Sequence, residues 1–226
     1  MKVTVYLFVS LLVLNSCASI QNSSKYELAD GKYKVKKEGK KFDCYVQNMP
    51  DSIIIYKLPG KTTTSLTPQM EVYLPTKQHF IKSSFDVDII TALLKIRPPA
   101  KKALPTQLNA NFNGNVYVGL RNDIYQIHYN RNPLDVYQRQ VNHFGFSGGV
   151  FIGMANTAIN PSTTANAIST EYDGLVLQKG VAGIVAVNKL TIGVSIGFDN
   201  LLDKNQKDWL YKNKPWFGLM LGLNLN

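Results

Sequence analysis

The sequence predicts an all-β protein: an antiparallel β-barrel of about 6–8 strands preceded by a small N-terminal β unit. Three observations carry that prediction. From residue 84 onward, apolar side chains alternate with Gly, Ser and Asn over runs of about ten residues or more, the period-two pattern of strands with two unlike faces. Of the 16 glycines, 13 lie between Gly114 and Gly222, where they would weaken strands unless tight curvature demands them. The connections between the runs alternate long and short.

With 226 residues, 45% of them hydrophobic and 18% charged, the chain suffices for one all-β domain plus a small appendage. Two full enzyme domains do not fit. The net charge of +10 is uneven: Lys25 to Lys102 hold 15 Lys/Arg against 8 Asp/Glu, and Ala103 to Asn226 hold 9 against 7.

Residues 1–16, MKVTVYLFVSLLVLNS, place Lys2 ahead of an apolar run from Val3 to Leu14 that is too short to span a bilayer, which reads as an export signal. The run ends in Leu14-Asn15-Ser16-Cys17, which resembles a bacterial lipobox. That resemblance implies cleavage before Cys17, acylation of its thiol, and a lipidated tether over residues 17–24. Two or three acyl chains, at roughly 0.8 kcal/mol per buried methylene, hold a protein at a membrane permanently. The alternative is an ordinary cleaved signal with a chance cysteine. Residues after Cys17 lack an acidic neighbour, which by known sorting rules implies the inner leaflet of the outer membrane. With Cys17 lipidated, Cys44 has no disulfide partner and no thiolate cluster exists for zinc or iron–sulfur.

Residues 25–80 read as short strands in KYELADGKYKVK, KFDCYVQ, DSIIIYKL and MEVYLP, forming a small basic unit. Lys32, Lys34 and Lys36 fall at period two on one strand face, either a solvated face or one attracted to an anionic leaflet. Asp51-Ser52-Ile53 resembles a short bacterial O-glycosylation motif.

The barrel is expected over residues 81–226, with strands at 84–96, 109–129, 136–157, 173–187, 190–200 and 214–226. In NANFNGNVYVGL, Asn109, Asn111, Asn113, Asn115 and Tyr117 oppose Ala110, Phe112, Val116, Val118 and Leu120. FGFSGGVFIGMA sets Phe144, Phe146, Val150, Ile152 and Met154 against glycines, Ser147 and Phe151. LTIGVSIGFD and PWFGLMLGLNLN repeat the scheme, with Trp216 on the glycine side. These lengths suit tilted strands crossing hydrocarbon, an outer-membrane-like arrangement with apolar residues outward and the glycine-and-asparagine face lining a narrow wet lumen. Residues 97–108, 158–172 and 201–213 are long connections, whereas 130–135 and Asn188-Lys189 are short turns, on the side where the N-terminal unit and the C-terminus would lie. Six strands are few for a closed wall, so N-terminal strands, a plug or neighbouring subunits are expected to complete it. The alternative is a soluble barrel or sandwich with the apolar face turned inward.

SFDVDIITALLKIRP, LPTQLNANFNGNVYVGLRNDIY, HFGFSGGVFIGMANTAINP, EYDGLVLQKGVAG and GFDNLLDKNQKDWLYKNKPWFGLMLGLNLN resemble a family of uncharacterised outer-membrane-associated lipoproteins and barrel-like envelope proteins of Bacteroidota. The resemblance spans roughly residues 80–226 and implies an envelope location without an activity.

Catalytic motifs are not found. His79, His128 and His143 lack metal-ligand spacing, and neither a nucleophile elbow nor a phosphate-binding glycine loop occurs. No metal, cofactor or nucleic-acid partner is expected. Asp86, Asp88 and Asp199, with Asn111, Asn113 and Arg121, are expected as polar lumen residues; the aspartates form either an acid–base cluster or ion pairs with Arg121 or Lys95. Trp209, Tyr211 and Trp216, with Lys212 and Lys214, fit half of an aromatic girdle at the membrane interface; the alternatives are a carbohydrate- or peptide-binding patch or a packed loop. The expected function is that of a non-enzymatic outer-membrane lipoprotein, a structural or accessory envelope component held by outer-membrane lipid through Cys17, with envelope proteins or further copies as partners. The alternative is a lipid-anchored periplasmic barrel that binds an apolar ligand.

Overall fold

A computed structural model describes residues 27–37, 40–50, 53–58, 69–72, 78–100, 104–135 and 137–223. The signal segment, Cys17, the tether and Asp51-Ser52 lie outside the described residues.

The chain forms one antiparallel sheet whose path is β11-β10-β9-β8-β7-β5-β1-β2-β3-β4. The N-terminal unit is β1 (Gly31–Lys37), β2 (Lys40–Asn48), β3 (Ile53–Lys57) and β4 (Gln69–Val72). The long strands are β5 (Gln78–Arg97), β7 (Asn113–Arg131), β8 (Tyr137–Ile159), β9 (Tyr172–Val187), β10 (Leu190–Leu201) and β11 (Pro215–Leu223); β6 (Gln107–Asn109) pairs with the end of β5. Pairing of β11 with β5 joins these six strands in a ring. All six expected long strands are therefore present, and they close on themselves without the extra strands, plug or subunits the sequence reading called for.

Register explains how so few strands close. Successive partners from Asp86 are Gly119, Gly149, Ala182, Ser195 and Gly218, and the last of these pairs with Lys95, nine residues beyond the start on the same strand. Nine residues of slip, about 30 Å, over six strand spacings of about 4.8 Å corresponds to a tilt of about 45° and a backbone radius of about 7 Å. Such a bore has little room, and its wall carries glycines where neighbouring groups come close. A side chain on Gly149 would strike the backbone of Val118 and Gly119, and one on Gly197 would strike the Trp216 ring.

We expect Gly149→Val to lower the urea midpoint of the refolded protein by the equivalent of about 1–3 kcal/mol, because backbone cannot retreat as a side chain can. Gly148→Val, one position earlier and pointing into open space, is the paired control and should leave the midpoint unchanged. Equal midpoints for the two variants would refute this account of the glycines.

The N-terminal unit packs on the end of the ring that holds the short turns: Lys34 pairs with Ile81, and Gln78 with Ile127. Leu223 pairs with Leu190 beside the Asn188-Lys189 turn, so the end of β11 lies at that same end, as the loop rhythm indicates. Leu28, Tyr33, Val35, Cys44, Val46 and Ile55 share a core with Phe80, Tyr125 and Ile127 of the ring. A division at residues 80 and 81 thus falls inside β5. Burial, followed by the neighbouring Asp43, pushes the Cys44 thiol up to about 12, so it behaves as a small apolar side chain rather than as a nucleophile.

Candidate functional site

The outer face of the ring is largely apolar around its circumference, interrupted on β9 by the exposed Lys179 between Ile152 and Phe198 of the neighbouring strands. Phe85, Val87 and Ile89 of β5, Val116 and Leu120 of β7, and Val150, Ile152 and Met154 of β8 are exposed. Val181 and Val185 of β9, Ile192, Val194 and Ile196 of β10, and Phe217 and Leu219 of β11 continue the belt. Neighbouring strands put these residues side by side, as in Val116–Ile152 and Val194–Leu219. On β8 the belt runs from Phe144 to Met154, about 23 Å in height at 3.3 Å per residue and the tilt above. The sequence reading of apolar residues outward holds here.

Inside, the polar residues form two separate clusters. In the first, near the N-terminal unit, Asp123 Oδ1 accepts hydrogen bonds from Arg121 Nε at 2.8 Å and from His143 Nε2 at 2.6 Å. Arg121 also lies 3.8 Å from Asp86. Arg121 and Asp123 alternate inward along β7, and the absent side chain of Gly145 leaves the space that the Arg121 guanidinium occupies. Asn188, in the left-handed conformation, ties the turn to His143: its Oδ1 accepts from the His143 N–H, and its own N–H donates to the His143 carbonyl.

The second cluster centres on Asp199 of β10, which pairs with Arg97 and with Lys95 and accepts a 2.7 Å hydrogen bond from Trp216 Nε1. Arg97 also donates to Thr157 Oγ1 at 2.8 Å and lies over the Trp209 and Tyr211 rings; Lys95 Nζ sits 4.5 Å above Trp216. A register shift in β5 opposite Leu219 and Met220 makes this possible. Ala92 faces inward, Leu93 is the extra residue, and the alternation resumes with Lys95 and Arg97 inside and Ile96 outside. Just below, the Asn113 side-chain amide exchanges two 2.7 Å hydrogen bonds with the Ala92 backbone, continuing the ladder where the β5–β7 pairing stops.

Among the expected lumen residues, Asp86, Asn113, Arg121 and Asp199 are buried in the interior, and Asp88 is half-buried on the inner face. Asp86 and Asp199 do not meet as an acidic cluster; each faces a basic partner, Arg121 for one and Lys95 with Arg97 for the other. Asn111 is not a lumen residue of a strand, because the chain leaves regular structure between β6 and β7 and leaves it half-buried at the rim. The interior is not a continuous wet bore either: between the clusters, Tyr117, Phe151, Ile184, Trp216 and Met220 pack together across it. Sequence reasoning missed Asp123, His143 and Arg97. Asp123 and His143 carried the alternation signal, whereas Arg97 is turned inward only by the bulge.

The aromatic girdle is corrected. Trp209, Tyr211 and Trp216 are 3%, 2% and 0% exposed, so none can lie in a membrane interface. Trp216 follows the inward alternation with Gly218 and Met220, while Trp209 and Tyr211 cap the end of the ring with Ile159 and Leu201. Lys214 is exposed, and Lys212 is half-buried and donates to Gln206. Among the described residues, no group of three or more His, Cys, Asp or Glu side chains is placed to hold a metal ion, and no helix is long and apolar enough to cross a membrane. No protein-family model, curated protein or solved structure matches the chain.

Proposed function

We propose that the ring is a membrane-inserted β-barrel and that the protein is an outer-membrane lipoprotein, acting without catalysis as a structural or accessory component of the envelope. The observation that carries the reading is the outer belt. Soluble monomers rarely expose contiguous apolar patches beyond a few hundred Å², and this one encircles the ring at nearly the 25 Å or so of hydrocarbon that outer-membrane barrels span. Asp86, Lys95, Arg97, Arg121, Asp123 and Asp199 have gone to the inside, the reverse of a soluble sheet, while Lys179 alone of β9's belt-facing residues carries a charge outward. The lipobox-like run at Cys17 and the resemblance over residues 80–226 point to the same address, with the N-terminal unit in the periplasm and further envelope proteins or copies as partners.

The interior favours a wall element over a conduit or a ligand barrel, since Trp216, Tyr117 and Phe151 fill the space that a solute or an apolar ligand would need. Full-length protein from cells should partition into detergent and migrate differently on gels before and after heating. The Cys17→Ala form should do the same, because the belt and not the lipid alone would hold it. Its release as an aqueous monomer would overturn the barrel reading, and copurification of that soluble form with lipid would favour the ligand-binding alternative.

A further inference from the structure

Beside the first ring strand lies a concave basic surface. Pairing of β1 with β5 stops at Lys34–Ile81, although β1 starts at Gly31, and pairing of β5 with β11 begins only at Thr91. The diverging strands leave a cleft of about 670 Å³ lined by Lys32 and Lys34, on the outward face with Ile81 and Ser83, and by Lys57 and Lys82, which reach it from the side of Phe42 and Tyr33; among the described residues Asp43 is the one carboxylate lining it. Two of the ammonium groups are held rather than free to wander: Lys57 Nζ is 5.4 Å from the centre of the Phe42 ring, and Lys82 Nζ is 5.8 Å from that of Tyr33. A ligand that meets partly ordered cations loses less free energy to their ordering.

The position of the cleft narrows the ligand. Ser83 lines it, faces outward and donates a 2.7 Å hydrogen bond to Asn122 on the neighbouring strand. The next outward pair is Phe85 with Leu120, both exposed and apolar. The border between polar surface and belt therefore runs along the rim of the cleft. An anion seated among the lysines, with hydrocarbon tails attached, would lay those tails along Phe85 and Leu120. We propose that this cleft binds the phosphate-bearing headgroup of an anionic phospholipid at the foot of the belt. The inference rests on the membrane reading of the belt and adds to it a specific lipid site.

The test uses the full chain in neutral detergent, titrated calorimetrically with dihexanoylphosphatidylglycerol, dihexanoylphosphatidylcholine and inorganic phosphate. The anionic lipid should bind at one site, more tightly than the other two. Lys57→Gln/Lys82→Gln should weaken it about tenfold or more, as expected for two ammonium groups near an anionic headgroup. Lys204→Gln/Lys207→Gln, an equal change of charge on exposed residues at the opposite end of the ring, should leave it unchanged. Should the first pair fail to fold, Lys32→Gln/Lys34→Gln at exposed positions gives the same reading. Equal binding of the two lipids, equal weakening by the control pair, or phosphate binding as tightly as the anionic lipid would each overturn the site. Insertion into purely zwitterionic vesicles, measured in parallel, reports on the belt alone: a protein that inserts without discriminating headgroups loses the site and keeps the barrel.

Discussion

Val150→Arg combined with Val194→Arg should abolish insertion into vesicles. Both residues sit near the middle of the belt, on β8 and β10, 58% and 66% exposed. An arginine at the midplane of a membrane barrel costs about 2–4 kcal/mol, so two approach the whole stability of an ordinary domain. On a water-exposed surface the same substitutions would fall within about 0.5 kcal/mol of neutral and improve solubility. Unheated gel migration after mixing urea-unfolded protein with vesicles distinguishes the two cases, and undiminished insertion of the double variant would remove the hydrocarbon-facing role of the belt.

Asp199→Asn should be nearly as damaging for a different reason. The asparagine keeps the shape and can still accept from Trp216 Nε1, but it leaves Lys95 and Arg97, both almost fully buried, without the charge between them. Removing one partner of a buried ion pair costs about 3–5 kcal/mol, because the remaining cations stay desolvated and repel each other. Adding Lys95→Met should restore part of the loss by deleting one of them. Urea midpoints of the wild type, the single variant and the double variant measure this directly, and an unchanged midpoint for Asp199→Asn would show that the cluster does not hold the strands.

The alternation itself was readable from residues because a strand's two faces are fixed by geometry. Phe144 to Met154 on one side and Gly145 to Phe151 on the other separate in the structure as they do in the sequence. Trp216 was equally readable from its parity with Gly218 and Met220, yet its neighbours Trp209 and Tyr211 suggested an interfacial ring, a composition cue that overrode the pattern. Lys95 was readable from the sequence as one alternative ion-pair partner of the aspartates, whereas Arg97 was not. The inward placement of both basic residues depends on a single extra residue, Leu93, that breaks the period only because β11 meets β5 out of step there. Closure by six strands was hidden for a similar reason: the slip from Asp86 to Lys95 is a sum over every pairing in the ring, and no local stretch encodes it. The two opposed ion clusters likewise need the register before Asp199 can be assigned to Lys95 and Arg97 rather than to Asp86.

The seam between β5 and β11 joins Ile96 to Phe217, the first staple of the cylinder to the last. Until β11 has been synthesised, β5 has no mate on that edge above its contact with β1. Loop closure over so many residues is slow, so the unfinished sheet presents a long sticky border for as long as it waits. Early closure of that seam therefore shortens the time for which the open border is exposed to aggregation.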